Sequence, residues 1–383
     1  MSQFDSILTA LKSEPYATKK QLLEYMIHMA QTLRQRKRDF DPADKAAILD
    51  YAWCEVDDLL AAIPKAATYK EKDLIFTCED LLLGLVMHLC PTPDQIPEAN
   101  LAKIQLLVEV VKKERYIENA LDDLFQQPAI ADPEVRDLLA LVEQTKDEYQ
   151  RGMLYSGLVH YKQDISKFSA EAKDLMTAHL TAEMKRYLDL GQPGEDCVNC
   201  LELMADISRF FADDALVGLL YDVMKLGHNN VNFFAVDTLL SLKKDVPQPV
   251  IDALARDLQY ANLAFCSLAE HGKQALFPAE CATAEYLAKS DLVHWLMYPT
   301  ELGKAPDEIE YIGKVTYLFK KDVYYVFKYR SGSDTLDDGV KNQWLIGWSS
   351  ENGGTFSNFD LYAKYEKATT EATLKNIKKK LIG

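Results

Sequence analysis

The sequence predicts a mainly helical chain that ends in a small α+β domain, and three observations lead to this prediction. Residues 1 to about 300 carry apolar side chains at helical spacing, interrupted by signals that start and stop helices. Strand-like alternation of apolar and polar residues begins only at Ile309. The charge changes there as well. Residues 304–383 hold 13 basic and 11 acidic side chains, a net charge of +2, which leaves −18 for the rest of a chain whose net charge is −16.

The helical part is divided by proline and by acidic residues at helix starts. Asp41-Pro42 and Asp132-Pro133 each place proline in a first turn, with carboxylates near the positive end of the helix dipole. Pro91 and Pro93 stop the helix that precedes them, because proline cannot donate a backbone hydrogen bond. Most segments span ten to twenty residues and the breaks are short, so neighbouring helices are predicted to run antiparallel.

A weak internal similarity runs through these helices. Residues 158–164 resemble residues 239–245, which lie 81 positions later, close to two repeats of about 40 residues. Residues 132–139 resemble the opening turn and first helix of a HEAT unit, and residues 230–240 resemble another helix of such a unit. Over roughly residues 40–290 the chain therefore resembles HEAT and armadillo arrays, which implies an α-solenoid of stacked helix pairs. The alternative is an irregular helical bundle.

The C-terminal part is predicted to fold as ββββα, a small antiparallel sheet with a helix on one face. Aromatic and β-branched residues alternate with polar ones, and Glu351-Asn352-Gly353-Gly354 favours a hairpin turn. The predicted strands are 309–319, 323–329, 343–349 and 355–362, followed by a helix over 369–381. We therefore predict two domains, an all-helical HEAT-like repeat domain over residues 1–303 and the sheet domain over 304–383.

Composition and charge exclude several classes of protein. With 48% hydrophobic and 27% charged residues, the chain is an ordinary globular protein and not a disordered or low-complexity one. Its acidity disfavours binding to nucleic acid or to anionic membranes, since both require positive charge. No secretory signal and no apolar run of about 18 residues is found. An odd number of cysteines, seven, favours free thiols, so we predict a cytoplasmic protein without a membrane partner.

Motifs for catalysis, cofactors and metals do not occur in a recognisable form. The sequence contains no GxSxG, GxGxxG or GxxxxGK[ST] pattern. Its one CxxC pair, Cys197 and Cys200, lies in a predicted helix without a second pair or nearby histidines, so it is interpreted as core spacing. We accordingly predict no catalytic residue, no cofactor and no metal ligand.

Four aromatic residues of the sheet domain form the best predicted binding surface. Trp344 and Trp348 are four positions apart in a predicted strand, so they share one face. Tyr325 and Phe327 lie near them in sequence, and together the four are predicted to form a platform or pocket wall. The alternative is that these rings pack in a core beneath the last helix.

The predicted function is that of a non-enzymatic scaffold for protein–protein interaction. Stacked helix pairs offer a long surface, and an acidic surface selects a basic partner. One specific version is an immunity or antitoxin protein that caps a basic enzyme. Two alternatives are kept, a module that senses a ligand or peptide through its aromatic C-terminal domain, and an enzyme of unrecognised class. The sequence does not indicate whether the protein is a monomer or an oligomer.

Overall fold

The structure, a computed structural model, describes residues 3–35, 38–211, 213–298, 302–316, 323–332, 342–352 and 355–364. The protein is mainly helical, with a small antiparallel sheet near the C-terminus, as predicted. By their internal contacts its residues form two compact units, 1–172 and 173–383. The domain boundary predicted at residue 303 separates the helices from the strands, and it stays a prediction.

Unit 1, residues 1–172, is built from helices joined by short turns. Apolar side chains spaced three and four residues apart give each helix a buried face. The fully buried residues of its core include Leu11, Leu23, Met26, Ile48, Leu59, Phe76 and Leu82. The helices are α1 Gln3–Ser13, α2 Tyr16–Gln35, α3 Pro42–Ala62, α4 Tyr69–Leu89, α5 Glu98–Glu114, α6 Tyr116–Phe125, α7 Asp132–Gln144 and α8 Glu148–His160.

Local chemistry fixes where these helices begin. Asp41 caps α3 by accepting a hydrogen bond from the Ala43 N–H, and α3 starts at Pro42, as predicted. Thr68 and Glu71 form a reciprocal capping box at the start of α4.

Two cavities lie at the ends of three of these helices. The start of α2, the end of α3 and the start of α4 line one cavity. The end of α2, the start of α3 and the end of α4 line the other.

Unit 2, residues 173–383, continues with shorter helices. Between α11 and α12, Gly227 adopts a φ of 79°, a left-handed conformation that glycine accepts without strain. The helices are α9 Ala170–Asp189, which contains the division between the units, α10 Glu195–Phe211, α11 Asp214–Val223, α12 Asn229–Ser241, α13 Gln248–Arg256, α14 Ala261–Glu270 and α15 Ala284–Leu296.

Hydrogen bonds recur in unit 2 at a nearly constant separation along the chain. Asn230 donates to Glu202 and Asn229 to Asp257, each across 28 residues. Ser267 donates to Asp237 across 30 residues. Helices of 9 to 13 residues follow one another here through short turns, which brings side chains at these separations together. The 40-residue repeat expected from the sequence stays a prediction.

The turns that end α12 and α14 share one geometry. The Lys244 N–H donates to the Leu239 carbonyl, and the Lys273 N–H donates to the Leu268 carbonyl. The residue before each donor, Lys243 or Gly272, has a φ of 57° or 66°. Both are Schellman turns, in which carbonyls left unpaired at a helix end accept hydrogen bonds from the reversing chain.

The sheet contains four described strands in the order β1-β2-β3-β4, all antiparallel, in good agreement with the predicted strands. They are β1 Glu308–Thr316, β2 Val323–Arg330, β3 Leu345–Asn352 and β4 Thr355–Lys364. Asn352 pairs with Thr355, on either side of the predicted turn. The helix predicted over 369–381 lies outside the described residues.

An unpredicted helix covers one face of this sheet. From α15, Ala288, Leu292 and Leu296 pack against the sheet side chains Tyr325, Phe327, Tyr329 and Leu345. Gly347 of β3 makes this approach possible, because a Cβ placed on it would lie 3.0 Å from Leu292 Cδ1. The connection is also polar, since Ser349 of β3 donates a 2.6 Å hydrogen bond to Asp291.

Candidate functional site

The four predicted aromatic residues do not come together on one surface. Val326 pairs directly with Trp348 across β2 and β3, whereas Tyr325 pairs with Ser349. Directly paired residues share a face and neighbours along a strand alternate. Tyr325 and Phe327 therefore face α15, and Trp348 packs on the opposite face with Val326.

Two of these aromatic side chains, Tyr325 and Trp344, make polar contacts within the chain, while Trp348 Nε1 is buried without a hydrogen-bond partner among the described residues. Tyr325 OH donates to Glu351 at 3.1 Å, and burial together with that carboxylate raises the pKa of Tyr325 to about 12. Trp344 lies just before β3, where Lys328 Nζ and Arg330 Cζ are 4.4 and 5.0 Å from its ring centroid. Cation–π contacts within the chain thus already use this ring.

The structure also bears on the cysteines, on metal binding and on membrane-spanning helices. Cys197 and Cys200 are buried on α10, and no disulfide joins any of the cysteines in the described part of the chain. Within the same residues, no group of three or more His, Cys, Asp or Glu side chains is arranged to hold a metal ion. None of the described helices combines the length and the apolar character that a membrane span requires.

The largest cavity described in unit 1 lies beside the turn between α1 and α2. Its volume is about 630 Å³. Small and apolar side chains form much of its wall, with acidic and basic side chains around them. The lining residues are Glu14, Pro15, Tyr16, Ala17, Lys19, Asp58, Ala61, Ala62, Lys65, Ala66, Glu71, Leu74 and Ile75. We call it the alanine-lined cavity.

A buried ion pair stands at the edge of the alanine-lined cavity. Lys19 Nζ lies 2.6 and 2.9 Å from the two carboxylate oxygens of Glu55, and Tyr51 OH donates to the same carboxylate at 2.9 Å. Lys19 is 7% exposed and Glu55 is 2% exposed. Lys19 Nζ also lies 5.1 Å from the centroid of the Tyr16 ring. Charges this deeply buried persist only when they are paired and hydrogen-bonded.

The groups around this ion pair favour binding over catalysis. Burial, and then the nearby Glu55 carboxylate, raise the pKa of Tyr16 to about 12 and that of Cys78 to about 12. The same causes raise the pKa of Tyr51. All three therefore stay protonated at neutral pH, and none is a ready base or nucleophile. The arrangement can hold an amphipathic ligand between small apolar walls.

This pair was not found by sequence reasoning, although a signal exists. On α2, the residues at positions 16, 19, 23, 26 and 30 follow the spacing of a buried helical face, and Lys19 interrupts an otherwise apolar set. On α3, Glu55 lies next to Val56 among the buried positions. A charged residue at a core position of each of two neighbouring helices predicts a buried pair.

A second feature of unit 1 is an acidic surface on two consecutive helices. Residues 116–144, from the start of α6 to the end of α7, contain seven carboxylates and a single base, Arg136. One of the seven, Glu118, is partly buried and accepts a hydrogen bond from Tyr69 OH, so six contribute to the surface. Arg136 pairs with Asp132 at 3.3 Å within its own helix. Asp123, Asp137 and Glu143 are exposed and form no ion pair among the described residues. We call this set the α6–α7 acidic surface.

The neighbouring helix α5, which contacts α6, exposes two apolar side chains, Leu106 and Val108, to 51% and 42%. Buried Leu107 lies between them in the sequence, so the two are exposed on different sides of α5. Single exposed apolar residues are ordinary on protein surfaces.

Buried Glu79 of α4 gives a pH-dependent prediction for unit 1. Burial, and then the neighbouring Asp80, raise the pKa of Glu79 to about 7, against the opposing effect of Arg115. A carboxyl whose pKa is higher in the folded state favours folding when protonated. The wild-type protein should thus lose stability as the pH rises from about 4.5 to 7.

We therefore expect Glu79→Gln to be more stable than the wild type at pH 8 and to lose this advantage near pH 4. Since a tenfold change in proton affinity corresponds to about 1.4 kcal/mol, the difference is on the order of 3 kcal/mol. Urea unfolding of both proteins between pH 4 and 8 measures it. Exposed Glu109→Gln is the control, and parallel pH profiles for Glu79→Gln and wild type would contradict the prediction.

The chain was compared with protein-family models, with curated proteins and with solved structures, and none of the three comparisons gave a match.

Proposed function

We propose that the chain is a non-enzymatic interaction protein whose acidic helical surface binds a basic protein partner. The observation that supports this proposal most directly is the α6–α7 acidic surface, where six carboxylates besides the partly buried Glu118 accompany one arginine. That arginine is already paired with Asp132. The remaining carboxylates repel one another, and a basic partner would relieve this repulsion.

Electrostatics of this kind act mainly on the encounter and on the choice of partner. Complementary charges raise association rates and exclude partners of the same sign. Exposed charges are screened by salt over about 8 Å at physiological ionic strength. Binding through the α6–α7 acidic surface should therefore weaken as salt increases.

The regular helix pairs of unit 2 support the scaffold part of the proposal. Side-chain hydrogen bonds recur there at 28 to 30 residues, and two helix ends share one turn geometry. We propose that these pairs form a short HEAT-like array. In such arrays each pair contacts only its neighbours, and the row presents an extended surface to a partner.

A more specific version of the proposal is that the partner is a basic enzyme, which this protein caps in the manner of an immunity protein or antitoxin. The acidity of the chain, −16 at pH 7, supports a basic partner. Occlusion of a basic active site by a charged surface requires no catalytic group on the inhibitor. Inhibition of the captured partner by the purified chain would test this version directly.

The test of the interaction reverses charges at three exposed positions, Asp123→Lys, Asp137→Lys and Glu143→Lys. None of these lies at a helix N-terminus, so the helix dipole does not oppose the lysines. Tagged protein captures its partner from the native lysate, and quantitative mass spectrometry reads the yield. We expect a stoichiometric basic protein with the wild type and at least a tenfold lower yield with the variant.

The matched control changes the net charge equally on exposed residues of unit 2, by Asp245→Lys, Glu270→Lys and Glu280→Lys. Its yield should stay within twofold of the wild type, and circular dichroism should show the same helix content for all three proteins. Equal yields from the variant and the wild type, or equal losses from the variant and the control, would refute the proposal.

A further inference from the structure

A second cavity of unit 1 has a lining of opposite charge to the chain as a whole. It has a volume of about 460 Å³ and lies where α2 and α4 end and α3 begins. Arg34, Arg38, Lys45 and His88 line it, and among the described residues Asp39 is its only acidic lining residue. In a chain with 59 acidic and 43 basic residues, four basic side chains around one cavity are unexpected. We call it the basic cavity.

The basic residues of this cavity lack partners that would explain their position. No hydrogen bond or ion pair of the Arg34, Arg38 or His88 side chains occurs among the described residues. Lys45 Nζ lies 3.9 Å from Asp39, at the limit of an ion pair. The Asp39 side chain is 72% exposed, and one of its oxygens accepts a hydrogen bond from the Phe40 N–H. The single carboxylate of Asp39 cannot neutralise the charges of Arg34, Arg38 and Lys45.

Helix dipoles account for only part of this arrangement. Arg34 and His88 lie in the last turns of α2 and α4, where positive charge is favourable. Arg38 follows α2, and Lys45 is the fourth residue of α3, near the positive end of that helix. The Arg38 N–H donates to the Leu33 carbonyl of α2, so Arg38 also lies near a helix C-terminus, whereas Lys45 gains nothing from one. The dipole therefore leaves the position of Lys45 unexplained, in a cavity that two arginines already line.

Apolar side chains complete the wall and favour a compact ligand. Phe40 is 7% exposed and Leu89 is 1% exposed, and both line the cavity with Ala30 and Pro91. Guanidinium groups bind phosphate oxygens with two parallel hydrogen bonds, which gives Arg34 and Arg38 a suitable chemistry. Both arginines are exposed, so their guanidinium groups are accessible to an anion from solution.

We infer that the basic cavity is a binding site for a phosphate group, carried by a small phosphorylated molecule or present as free phosphate. Arg34 and Arg38 are the principal ligands, Lys45 supplies further positive charge, and His88 offers a ring N–H as a hydrogen-bond donor. The site lies on other residues than the α6–α7 acidic surface, so this inference is independent of the proposed protein partner.

Titration of the full-length chain with inorganic phosphate and with pyrophosphate tests this assignment. Calorimetry at constant ionic strength, balanced with chloride, measures binding, and the melting temperature should rise as the anion binds the folded state. We expect Arg34→Gln with Arg38→Gln to weaken phosphate binding at least tenfold. The control removes two exposed bases of the same unit that do not line the cavity, Lys113→Gln with Lys146→Gln, and should bind within twofold of the wild type.

Each outcome decides the question. Absence of phosphate binding by the wild type, or an equal loss in the variant and the control, overturns the assignment. Preferential binding of a single-stranded RNA of ten nucleotides, lost in the same variant, would reassign the cavity to a nucleic-acid backbone and also overturn it. Should the double variant fail to fold, Lys45→Gln, which removes one weakly paired charge, must still weaken phosphate binding at least threefold.

Discussion

Replacing Lys19 with methionine is expected to lower the free energy of unfolding by about 3–5 kcal/mol. The substitution keeps most of the side-chain volume but leaves the Glu55 carboxylate with Tyr51 as its remaining neutral donor. Glu55 is 2% exposed, so water cannot replace the lost ammonium. Urea unfolding measures the loss, and hydrogen exchange of the α2 and α3 amides assigns it to unit 1.

Two further variants separate the buried charge from a general effect of losing a lysine. Lys103→Met breaks the exposed 2.6 Å pair with Asp57 and should cost only about 0–1 kcal/mol. Lys19→Met combined with Glu55→Gln removes both charges and keeps an acceptor for Tyr51, so it should recover most of the stability. A cost for Lys19→Met no larger than for Lys103→Met would show that the buried pair is not important for folding.

Shortening Leu292 to alanine is expected to destabilise unit 2 by about 2–5 kcal/mol, because a buried leucine leaves a cavity that relaxes only in part. Leu292 is 2% exposed and joins α15 to the sheet. Urea unfolding followed by tryptophan fluorescence measures the loss. Leu190→Ala, at a position that is 54% exposed, is the control and should change stability by about 0.5 kcal/mol or less.

The contact between Leu292 and Gly347 provides a sharper form of the same prediction. Gly347→Val alone should cost about 1–3 kcal/mol, since its Cβ would lie 3.0 Å from both Leu292 Cδ1 and Tyr329 Cε1. In combination with Leu292→Ala, the valine occupies space that the leucine has vacated. The two losses should therefore sum to more than the loss in the double variant, and simple additivity would contradict the packing described here.

Secondary structure was predictable here because its signals are local. Proline after Asp41 marks the start of α3, and alternation of aromatic residues marks β2 from Val323 to Arg330. The placement of the predicted aromatic surface was not predictable in this way. Alternation assigns the residues of one strand to its two faces. It does not show which face of β2 lies on the same side of the sheet as Trp348 of β3, and the pairing of Val326 with Trp348 decides this.

The candidate sites were likewise only partly predictable from local sequence patterns. Four basic residues in five positions, 34–38, stand out in an acidic chain, and Arg34 and Arg38 among them line the basic cavity. Arg34 and Arg38 line the same cavity as His88 only because of the way α2 and α4 pack, and no local sequence pattern specifies that packing. The 40-residue repeat expected from the sequence stays a prediction, because two similar stretches do not specify how the helices between them pack.

The carboxylate of Asp291 has a consequence for how α15 is held between its neighbours in unit 2. Asn262 of α14 donates to one of its oxygens, and Ser349 of β3 donates to the other. A single side chain thus ties α15 to a helix and to the sheet at the same point along its length. Because hydrogen bonds are directional whereas apolar contacts are not, these two bonds oppose any sliding of α15 that the packing of Leu292 alone would allow.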